Sequence, residues 1–278
     1  MDFQSSSGQA VVARAGPPAK VALSNVQKVL WPHDGYTKGD LIEYYQSVAR
    51  WLLPYVRDRP LSLERFPNGI DAQSFFEKNA PRGAPDWIQT YAVASNGKST
   101  NYILCNDIQT LTYLANLACV TLHVWLSRVS ALDNPDFILF DMDPWKGCSL
   151  GTLARVSVAT RDLLVGLGLT PLVKTSGGSG LHVIVPLRPV YDYQTIKQFT
   201  ELVARHMLGQ MPKSITLERM TARRPAGTVY IDYVQIGRGK TLVPPYVVRA
   251  RQGAPVSVPL SWAQVEAMRS KRSADTAA

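Results

Sequence analysis

Two carboxylates near the middle of the chain are the first candidates for chemistry. Asp141 and Asp143 close the stretch 136–144, in which four consecutive apolar residues predict a short strand buried on both faces. Alternate strand residues share a face, so the two carboxylates converge while Met142 points into the core. Carboxylates this close repel each other, and a hard divalent cation such as Mg²⁺ or Mn²⁺ relieves that repulsion. Taken alone, the pair is better explained as a strand that leads into an acidic turn.

A third carboxylate interrupts a second apolar strand. Asp232 stands within the stretch 229–234, whose other residues are valine, isoleucine and tyrosine. A carboxylate in so apolar a strand should be paired with a cation or bound to a metal.

A loop rich in glycine and serine, residues 175–180, joins two further predicted strands. Such a loop exposes backbone N–H groups that suit phosphate oxygens, although an ordinary flexible hairpin explains it equally well. His182 follows the loop and alternates away from its apolar neighbours, which makes it a candidate phosphate contact. Basic residues, among them Lys240 and Arg249, come later in the chain.

The first half of the chain carries aromatic and basic candidates. Phe75 and Phe76 are adjacent in a polar strand, where an exposed ring offers a stacking platform for a base; a core strand buried on two sides fits about as well. Lys28 and Lys38 flank one turn and can hold a phosphate together, although a lysine pair is usually a solvated surface. Lys38 also lies in the first turn of a predicted helix, where backbone N–H groups favour an anion.

Local signals indicate the elements that must position these residues. Thr37 and Asp40 predict a helix start, Pro54 its end, and Asp107 the cap of a second helix that reaches Leu122–Trp125. The remaining signals are an Asn96-Gly97 hairpin, a helix over 150–167 within a parallel strand–helix–strand crossover, and a helix over 194–211 that buries Ile196, Phe199, Leu202, Val203 and Met207.

The pattern predicts a mixed α/β (α+β) fold with central sheets flanked by helices around a groove. A domain over 22–265, with flexible tails at 1–21 and 266–278, forms either two lobes, 22–128 and 129–265, or one sheet-centred domain.

Composition narrows the class of protein. The 278 residues are 46% hydrophobic and 18% charged, as in globular proteins, and the net charge of +9 indicates a polyanionic partner. No stretch is long and apolar enough for a transmembrane helix, and the N-terminal residues lack the apolar segment of an export signal. The three cysteines, widely spaced, are typical of reduced core thiols. We therefore expect a cytoplasmic protein without a membrane partner.

Together, these candidates suit one reaction. Phosphoryl transfer to a 3′-hydroxyl needs two divalent ions, cations and N–H donors around a triphosphate, and a basic groove with aromatic platforms for the nucleic acid. The sequence contains a candidate for each part.

Several motifs closely resemble the polymerase domain of bacterial ATP-dependent DNA ligase D, of the archaeo-eukaryotic primase superfamily. The resemblance covers about residues 23–262 and includes Leu122-His123. The matching runs are Lys28-Val-Leu-Trp-Pro32, Thr37-Lys38, Phe75-Phe-Glu-Lys-Asn79, Phe140-Asp-Met-Asp-Pro144, Lys174-Thr-Ser-Gly-Gly-Ser-Gly-Leu-His182, Ile231-Asp-Tyr-Val-Gln235 and Lys240-Thr-Leu-Val-Pro-Pro-Tyr-Val-Val-Arg249.

The resemblance implies a nucleotidyltransferase that fills gaps or extends ends in non-homologous end joining, prefers Mn²⁺ and favours ribonucleotides over deoxynucleotides. Asp141, Asp143 and Asp232 are implied to hold two metal ions, with Asp232 helping to activate the primer 3′-hydroxyl. The nucleoside triphosphate is implied to contact Ser176, His182, Lys240 and Arg249, with Lys174, Gln235 and His123 also at the nucleotide.

The remaining implied contacts concern the DNA, which carries a gap or a 3′-overhang and a downstream 5′-phosphate. Phe75 or Phe76 is implied to stack on the template or the nucleotide, and Lys28 and Lys38 to bind the 5′-phosphate. Ser179 departs from the pattern, because many relatives carry lysine there, and this removes one cation from the triphosphate pocket. Ku and a DNA ligase are implied partners, and the location is nucleoid-associated. A stand-alone polymerase and a fragment of a longer ligase both fit the resemblance.

Three alternatives stay open on the residues alone. A primase would start chains without a primer, a metal-dependent nuclease would use the same acidic trio, and a non-catalytic module would only bind nucleic acid.

Overall fold

A computed structural model describes Gly16 and residues 20–95 and 97–270. Almost all of the predicted N-terminal tail, residues 271–278 of the C-terminal tail, and Asn96 lie outside the described residues. The described residues divide into two compact units, one formed by the residues up to 130 and by 241–256, the other by 131–240 and by the residues from 257 onward. The predicted second lobe included 241–256, which instead belongs to the first unit.

The first unit is built on one four-stranded sheet and two hairpins. The order in the sheet is β13-β7-β3-β4, and β1–β2 and β5–β6 form the separate pairs. Its elements are β1 (Val29–Trp31), β2 (Tyr36–Thr37), α1 (Lys38–Val56), β3 (Leu61–Arg65), β4 (Phe75–Glu77), β5 (Thr90–Ser95), β6 (Lys98–Ile103), α2 (Ile108–Asn116), β7 (Cys119–Trp125), a 3₁₀ turn (Val129–Ala131) and β13 (Thr241–Leu242).

Helix α1 begins where the sequence predicts and ends later. Thr37 and Asp40 form a reciprocal capping box: the Thr37 hydroxyl accepts from the Asp40 N–H, and the Asp40 carboxylate accepts from the Thr37 N–H. The prediction that Pro54 ends the helix is wrong, because Pro54 lies inside its last turn. The helix continues to Val56 because Leu52 and Val56 are fully buried in the core.

The second predicted helix is also shorter than expected. Asp107 caps α2, its carboxylate accepting from the Thr110 N–H at 2.7 Å, but the helix ends at Asn116. Ala118 has a φ of +55°, which reverses the chain, and the residues after it form the central strand β7. The prediction that the helix reaches Leu122–Trp125 was wrong, because valine, threonine and tryptophan in β7 favour a strand and burial decides between the two patterns.

The Asn96-Gly97 hairpin prediction is confirmed by the antiparallel pairing of β5 and β6, in which Ser95 faces Lys98 across the turn. Gly97 has a φ of +72°, the left-handed conformation that such a turn requires.

The second unit is built on a six-stranded sheet of order β11-β12-β8-β10-β9-β14. Its elements are β8 (Phe137–Pro144), α3 (Leu150–Gly166), β9 (Leu172–Thr175), β10 (Leu181–Pro186), α4 (Tyr193–Gln210), β11 (Ile215–Thr216), β12 (Val229–Asp232), β14 (Pro259–Leu260), α5 (Trp262–Ala267) and three 3₁₀ turns (Thr221–Arg223, Tyr233–Gln235, Met268–Ser270).

Strands β8 and β9 run parallel, as the crossover through α3 predicts, but β10 lies between them and is antiparallel to both. The buried-strand prediction for β8 is confirmed, since Ile138, Leu139 and Phe140 are at most 2% exposed. Met142 is fully buried and accepts a hydrogen bond from the Ser157 hydroxyl of α3, so α3 covers the face opposite to the aspartates.

Predictions for α4, for the C-terminal residues and for the cysteines were confirmed only in part. Helix α4 buries Ile196, Val203 and Met207, but Leu202 is 68% exposed and was wrongly placed inward. Residues 266–270, predicted as part of a frayed tail, continue α5 into a 3₁₀ turn. Cys105 and Cys119 are buried free thiols, whereas Cys148 is half-buried. Within the described ranges, no helix combines the length and apolarity needed to cross a bilayer.

Candidate active site

Four polar side chains line up across four neighbouring strands of the second unit. Asp232 on β12 faces Asp141 on β8, Asp141 faces His182 on β10, and His182 faces Lys174 on β9. Directly opposed residues of antiparallel strands share a face and lie about 4.5–5.5 Å apart between Cα atoms. These residues, which we call the cross-strand row, therefore place two carboxylates, an imidazole and an ammonium side by side.

Asp141 and His182 are in direct contact. The His182 Nε2 lies 3.2 Å from the Asp141 Oδ1, and their side chains are 6% and 19% exposed. A hydrogen bond in so sheltered a place fixes the orientation of the carboxylate. Histidine beside the loop was predicted as a phosphate contact, and the structure adds this bond to the aspartate.

Asp143 lies on the same face as Asp141, two residues further along β8. It is opposite Tyr230 on β12, and Gly180 comes next to it from the other side. A Cβ atom built on Gly180 would lie 2.6 Å from the Met142 carbonyl oxygen and 3.2 Å from the Asp143 Oδ1. The loop can approach this aspartate only because residue 180 has no side chain.

The donor set suits a hard divalent ion in its chemistry. Asp141, Asp143 and Asp232 offer carboxylate oxygens on one face of the sheet, the ligand type that Mg²⁺ and Mn²⁺ prefer. Among residues 20–95 and 97–270, no group of three His, Cys, Asp or Glu side chains is already arranged to hold a metal ion. The sheet therefore aligns the three carboxylates on one face without closing a ligand cage.

The glycine- and serine-rich loop is organised by its own serine. The Ser176 hydroxyl accepts hydrogen bonds from the N–H groups of Gly178 and Gly180, both at 3.1 Å, and the Ser176 N–H donates to the Gly180 carbonyl. The prediction that these N–H groups face a phosphate needs correction, because two of them are directed at Ser176. In the structure, the Ser176 hydroxyl stabilises the turn between β9 and β10.

Lys174, predicted as a nucleotide contact, is only 2% exposed. Its ammonium donates to the Ser257 hydroxyl at 2.7 Å and to the Thr175 carbonyl at 3.1 Å, and Ser257 in turn donates to that carbonyl. The side chain thus ties the end of β9 to the segment before β14, and any effect on a nucleotide would pass through its neighbour His182.

Asp232 ends β12 instead of interrupting it. Its carboxylate accepts from the Val234 N–H at 3.0 Å and caps the 3₁₀ turn that carries Gln235. Tyr230 lies two residues before it on the same face, and burial followed by the negative charge of Asp232 raises the pKa of Tyr230 to about 12. The Arg224 guanidinium carbon lies 3.7 Å from the centre of the Tyr230 ring, in a cation–π contact.

The basic candidate Lys240 is exposed, at the end of the turn that starts at Gly237, and Gln235 is half-buried. Neither is placed in the cross-strand row by the strand pairing.

In the first unit, the two phenylalanines point to opposite faces of the edge strand β4. Phe76 faces Glu64 and Phe75 faces Arg65 on β3, and the rings are 59% and 44% exposed. The alternative of a core strand buried on two sides is wrong, because both rings are exposed and β4 lies at the edge of its sheet. Phe75 receives the Arg65 guanidinium at 5.2 Å, whereas Phe76 stands 5.3 Å from the imidazole of His123.

His123 is joined to a carboxylate that the sequence analysis did not single out. Its Nε2 lies 3.3 Å from the Glu64 Oε2, and the two side chains are 14% and 20% exposed. The hydrogen bond with His123 lowers the pKa of Glu64, burial acts in the opposite direction, and the charges of His123 and Arg249 lower it further. Glu64 lies on β3, and only the pairing of β3 with β7 brings it to His123.

Replacing His123 tests this arrangement. In His123→Ala we expect the pKa of Glu64 to rise, because burial remains while the dominant hydrogen bond is lost. A carboxyl group whose pKa is lower in the folded than in the unfolded protein stabilises the fold at any pH above its unfolded-state pKa. This stabilisation is lost as the pH falls through the folded-state pKa. With a higher pKa of Glu64, the variant should therefore lose less stability on acidification than the wild type. The Glu64 side-chain carboxyl can be titrated by carbon-13 NMR, with Glu64→Gln assigning the signal. An unchanged pKa would contradict the contact.

The two lysines of the predicted 5′-phosphate site differ in exposure. Lys38 is 5% exposed and its ammonium donates to the Asn116 carbonyl at 3.0 Å, whereas exposed Lys28 donates to the Asn68 side chain. The two residues are joined by a hydrogen bond from the Lys38 N–H to the Lys28 carbonyl at 2.8 Å. Burial, followed by the nearby charge of Lys28, lowers the pKa of Lys38.

Comparison with known proteins agrees with the motifs. Residues 37–278 match the family model of the LigD primase-polymerase domain. The chain belongs to this family. Its fold class, mixed α/β, is confirmed, and primase-polymerase domains of this family are DNA-directed nucleotidyltransferases.

The chain is also similar in sequence to full-length LigD proteins. The chain is 34% identical over 255 residues to the multifunctional non-homologous end joining DNA repair protein LigD of Mycobacterium tuberculosis, with 89% of this chain and 34% of the relative covered. It is 31% identical over 248 residues to the bifunctional LigD of Bacillus subtilis, covering 89% of this chain and 40% of the relative. The chain thus spans about a third to two fifths of the length of these relatives.

A solved structure, the polymerase domain of Mycobacterium tuberculosis ligase D in complex with DNA, superposes with a TM-score of 0.86 at 32% sequence identity and covers 91% of each chain. A LigD primase-polymerase fold thus carries the cross-strand row in its second unit and the Glu64–His123 pair in its first.

Proposed function

We propose that the chain is a template-dependent polymerase that adds nucleotides to a primer 3′-end in gaps or at broken ends during non-homologous end joining. The observation that supports this most is the cross-strand row, in which Asp232, Asp141 and His182 stand on three adjacent strands of one face. Membership of the LigD primase-polymerase family supports the same reaction.

The three aspartates would hold two divalent ions, Mn²⁺ or Mg²⁺. When bound, such ions activate an attacking hydroxyl and neutralise a leaving pyrophosphate. The side chains of the row prepare this chemistry: His182 orients the Asp141 carboxylate at 3.2 Å, and the Val234 N–H holds that of Asp232. With its fixed orientation, each carboxylate needs little rearrangement to bind a cation.

The residues proposed to bind the nucleoside triphosphate are those that the family resemblance implies. In the second unit Lys240, the Ser176 loop and His182 would bind phosphates and Gln235 would contact the nucleotide. In the first unit Arg249 and His123 are the candidates. Phe76, which is exposed and backed by His123, is the better candidate than Phe75 for stacking on a base. A preference for ribonucleotides belongs to the proposal as well.

The nucleic-acid substrate would be DNA with a gap or a 3′-overhang and a downstream 5′-phosphate. Since the chain spans about a third of its relatives, sealing of the product is assigned to a ligase, in a separate protein or in the same longer one. Ku at the broken ends, and a location with the nucleoid in the bacterial cytoplasm, complete the proposal.

Extension of a labelled primer across a short gap tests this function. With Mn²⁺, the protein should add nucleotides that match the template, faster from ribonucleoside than from deoxyribonucleoside triphosphates. Formation of dinucleotides from free nucleotides would instead indicate a primase, and shortening of the labelled end without nucleotide would indicate a nuclease.

The phosphate site has its own test. Lys28→Ala should reduce the preference for a 5′-phosphorylated over a 5′-hydroxyl gap by about tenfold, since one charge-assisted contact is lost. Lys28 is preferred over Lys38 for this change because the Lys38 ammonium also bonds to Asn116 and its removal would disturb the fold. Lys98→Ala, another exposed lysine of the same unit, serves as the control. Equal loss on both gaps would contradict the assignment.

A further inference from the structure

A group of aromatic side chains lies on the surface of the first unit, at the C-terminal end of α1. Trp51 and Tyr55 stand one helical turn apart and are each 44% exposed, and Tyr246 contacts both, with ring centres 6.4 and 6.3 Å away. We call these three residues the aromatic patch. Scattered exposed apolar side chains are common, but here the half-buried Tyr246 ring contacts both exposed rings and joins them into one surface.

The backbone of Tyr246 is strained. Its φ is +68°, the left-handed region that bulky residues rarely occupy, and the Tyr44 hydroxyl holds this conformation by donating to the Tyr246 carbonyl at 2.9 Å. Glycine or asparagine would adopt the same backbone without strain. Strain of this kind persists where the surrounding structure holds it, and it is frequent at functional sites.

The charged groups around the aromatic patch include several cations. The Arg50 guanidinium carbon lies 3.8 Å from the centre of the Trp51 ring, and exposed Arg57 follows Tyr55 by two residues. Arg128 donates to the Arg57 and Pro54 carbonyls and so fixes a third guanidinium at this end of α1. Arg50 thus covers one face of the Trp51 ring, and the guanidinium groups can contact phosphates while bases stack on the ring faces that no arginine covers.

We propose that the aromatic patch binds single-stranded nucleic acid, with bases stacked on Trp51, Tyr55 and Tyr246 and phosphates held by the arginines. Unpaired bases are required because the bases of a duplex are already stacked and their faces are closed to side chains. Stacking on rings carries no sequence preference, which suits a strand of any sequence next to a break. The surface belongs to α1 and the segment 241–256 and does not include the cross-strand row.

Replacing the rings tests the proposal. In fluorescence anisotropy with a labelled single-stranded oligonucleotide of twenty thymidines, lacking a 5′-phosphate and without nucleotide present, Trp51→Ala and Tyr55→Ala should each weaken binding by at least about fivefold. Affinity for a duplex of the same length should change by less than twofold. Tyr191→Ala, which replaces an exposed tyrosine of the second unit, should leave both affinities unchanged.

Tyr246→Asn separates binding from folding. Asparagine tolerates the left-handed backbone, which offsets part of the packing that the half-buried ring makes against the core, so the unfolding temperature should change only slightly while affinity for the single strand falls. A lower unfolding temperature with unchanged affinity would show that the ring only covers the core.

Cross-linking locates the strand directly. A single strand carrying 5-iodouracil should cross-link under ultraviolet light to the peptides that contain Trp51, Tyr55 or Tyr246. Cross-links confined to other peptides, equal loss of single-strand and duplex binding in the variants, or unchanged single-strand affinity would each overturn the proposal.

Discussion

Asp141→Asn should lower nucleotide addition by at least about 1,000-fold, because charge compensation by a bound divalent ion amounts to several kcal/mol of transition-state stabilisation. Asp141 occupies the centre of the cross-strand row, and its carboxylate lies between the side chains of Asp232 and His182. Asparagine has almost the same size and keeps an oxygen for His182. The primer-extension assay across a gap measures the rate.

A binding measurement distinguishes lost chemistry from lost structure. Free Mn²⁺, followed by electron paramagnetic resonance, should be depleted by the wild-type protein and much less by Asp141→Asn, with both proteins unfolding at similar temperatures. Glu201→Gln, on the exposed face of α4 where Glu201 pairs with Arg205, is the matched control and should retain activity and Mn²⁺ binding. Addition at the wild-type rate by Asp141→Asn would remove the row from the active site.

Gly180→Ala should destabilise the second unit by about 1–3 kcal/mol and impair nucleotide addition. The new methyl group would lie 2.6 Å from the Met142 carbonyl oxygen, and Met142 is fully buried in a central strand that cannot yield. The loop must therefore move away from Asp143, and the bonds from the Gly178 and Gly180 N–H groups to Ser176 are disturbed with it.

Chemical denaturation measures the stability, and Gly209→Ala provides the control. Gly209 lies in α4, where nothing stands within 4 Å of the position of an added Cβ, so alanine should stabilise the helix by up to about 1 kcal/mol. If Gly180→Ala unfolds at the wild-type denaturant concentration, the close approach of the loop to β8 is not a constraint on residue 180.

Local chemistry made several features predictable from sequence. The capping box of Thr37 and Asp40, the cap at Asp107 and the hairpin around Gly97 each depend on residues within four positions of one another. The two-sided burial of β8 followed from its unbroken apolar run. Signals confined to so few residues need no knowledge of the rest of the chain.

The burial of individual side chains was much harder to predict from the sequence. Lys38 was predicted as a phosphate contact and Lys174 as a nucleotide contact, yet both side chains are buried and their ammonium groups donate to carbonyl and hydroxyl oxygens. Pro54 and the residues of β7 were assigned by local propensity, which packing against the core overrode. Desolvation depends on neighbours far away in sequence, and so it cannot be inferred from spacing.

By itself the sequence determined the candidate residues for the chemistry, three aspartates and a histidine after a glycine-rich loop, and the motifs that identify a LigD-type polymerase. Only the tertiary structure decided which of them meet. The pairing of β12, β8, β10 and β9 sets Asp232, Asp141, His182 and Lys174 in one row, and a shift of any strand by one residue would turn its member to the other face. Strand register is fixed by contacts between segments up to about ninety residues apart, which is why the row emerges only when the chain has folded.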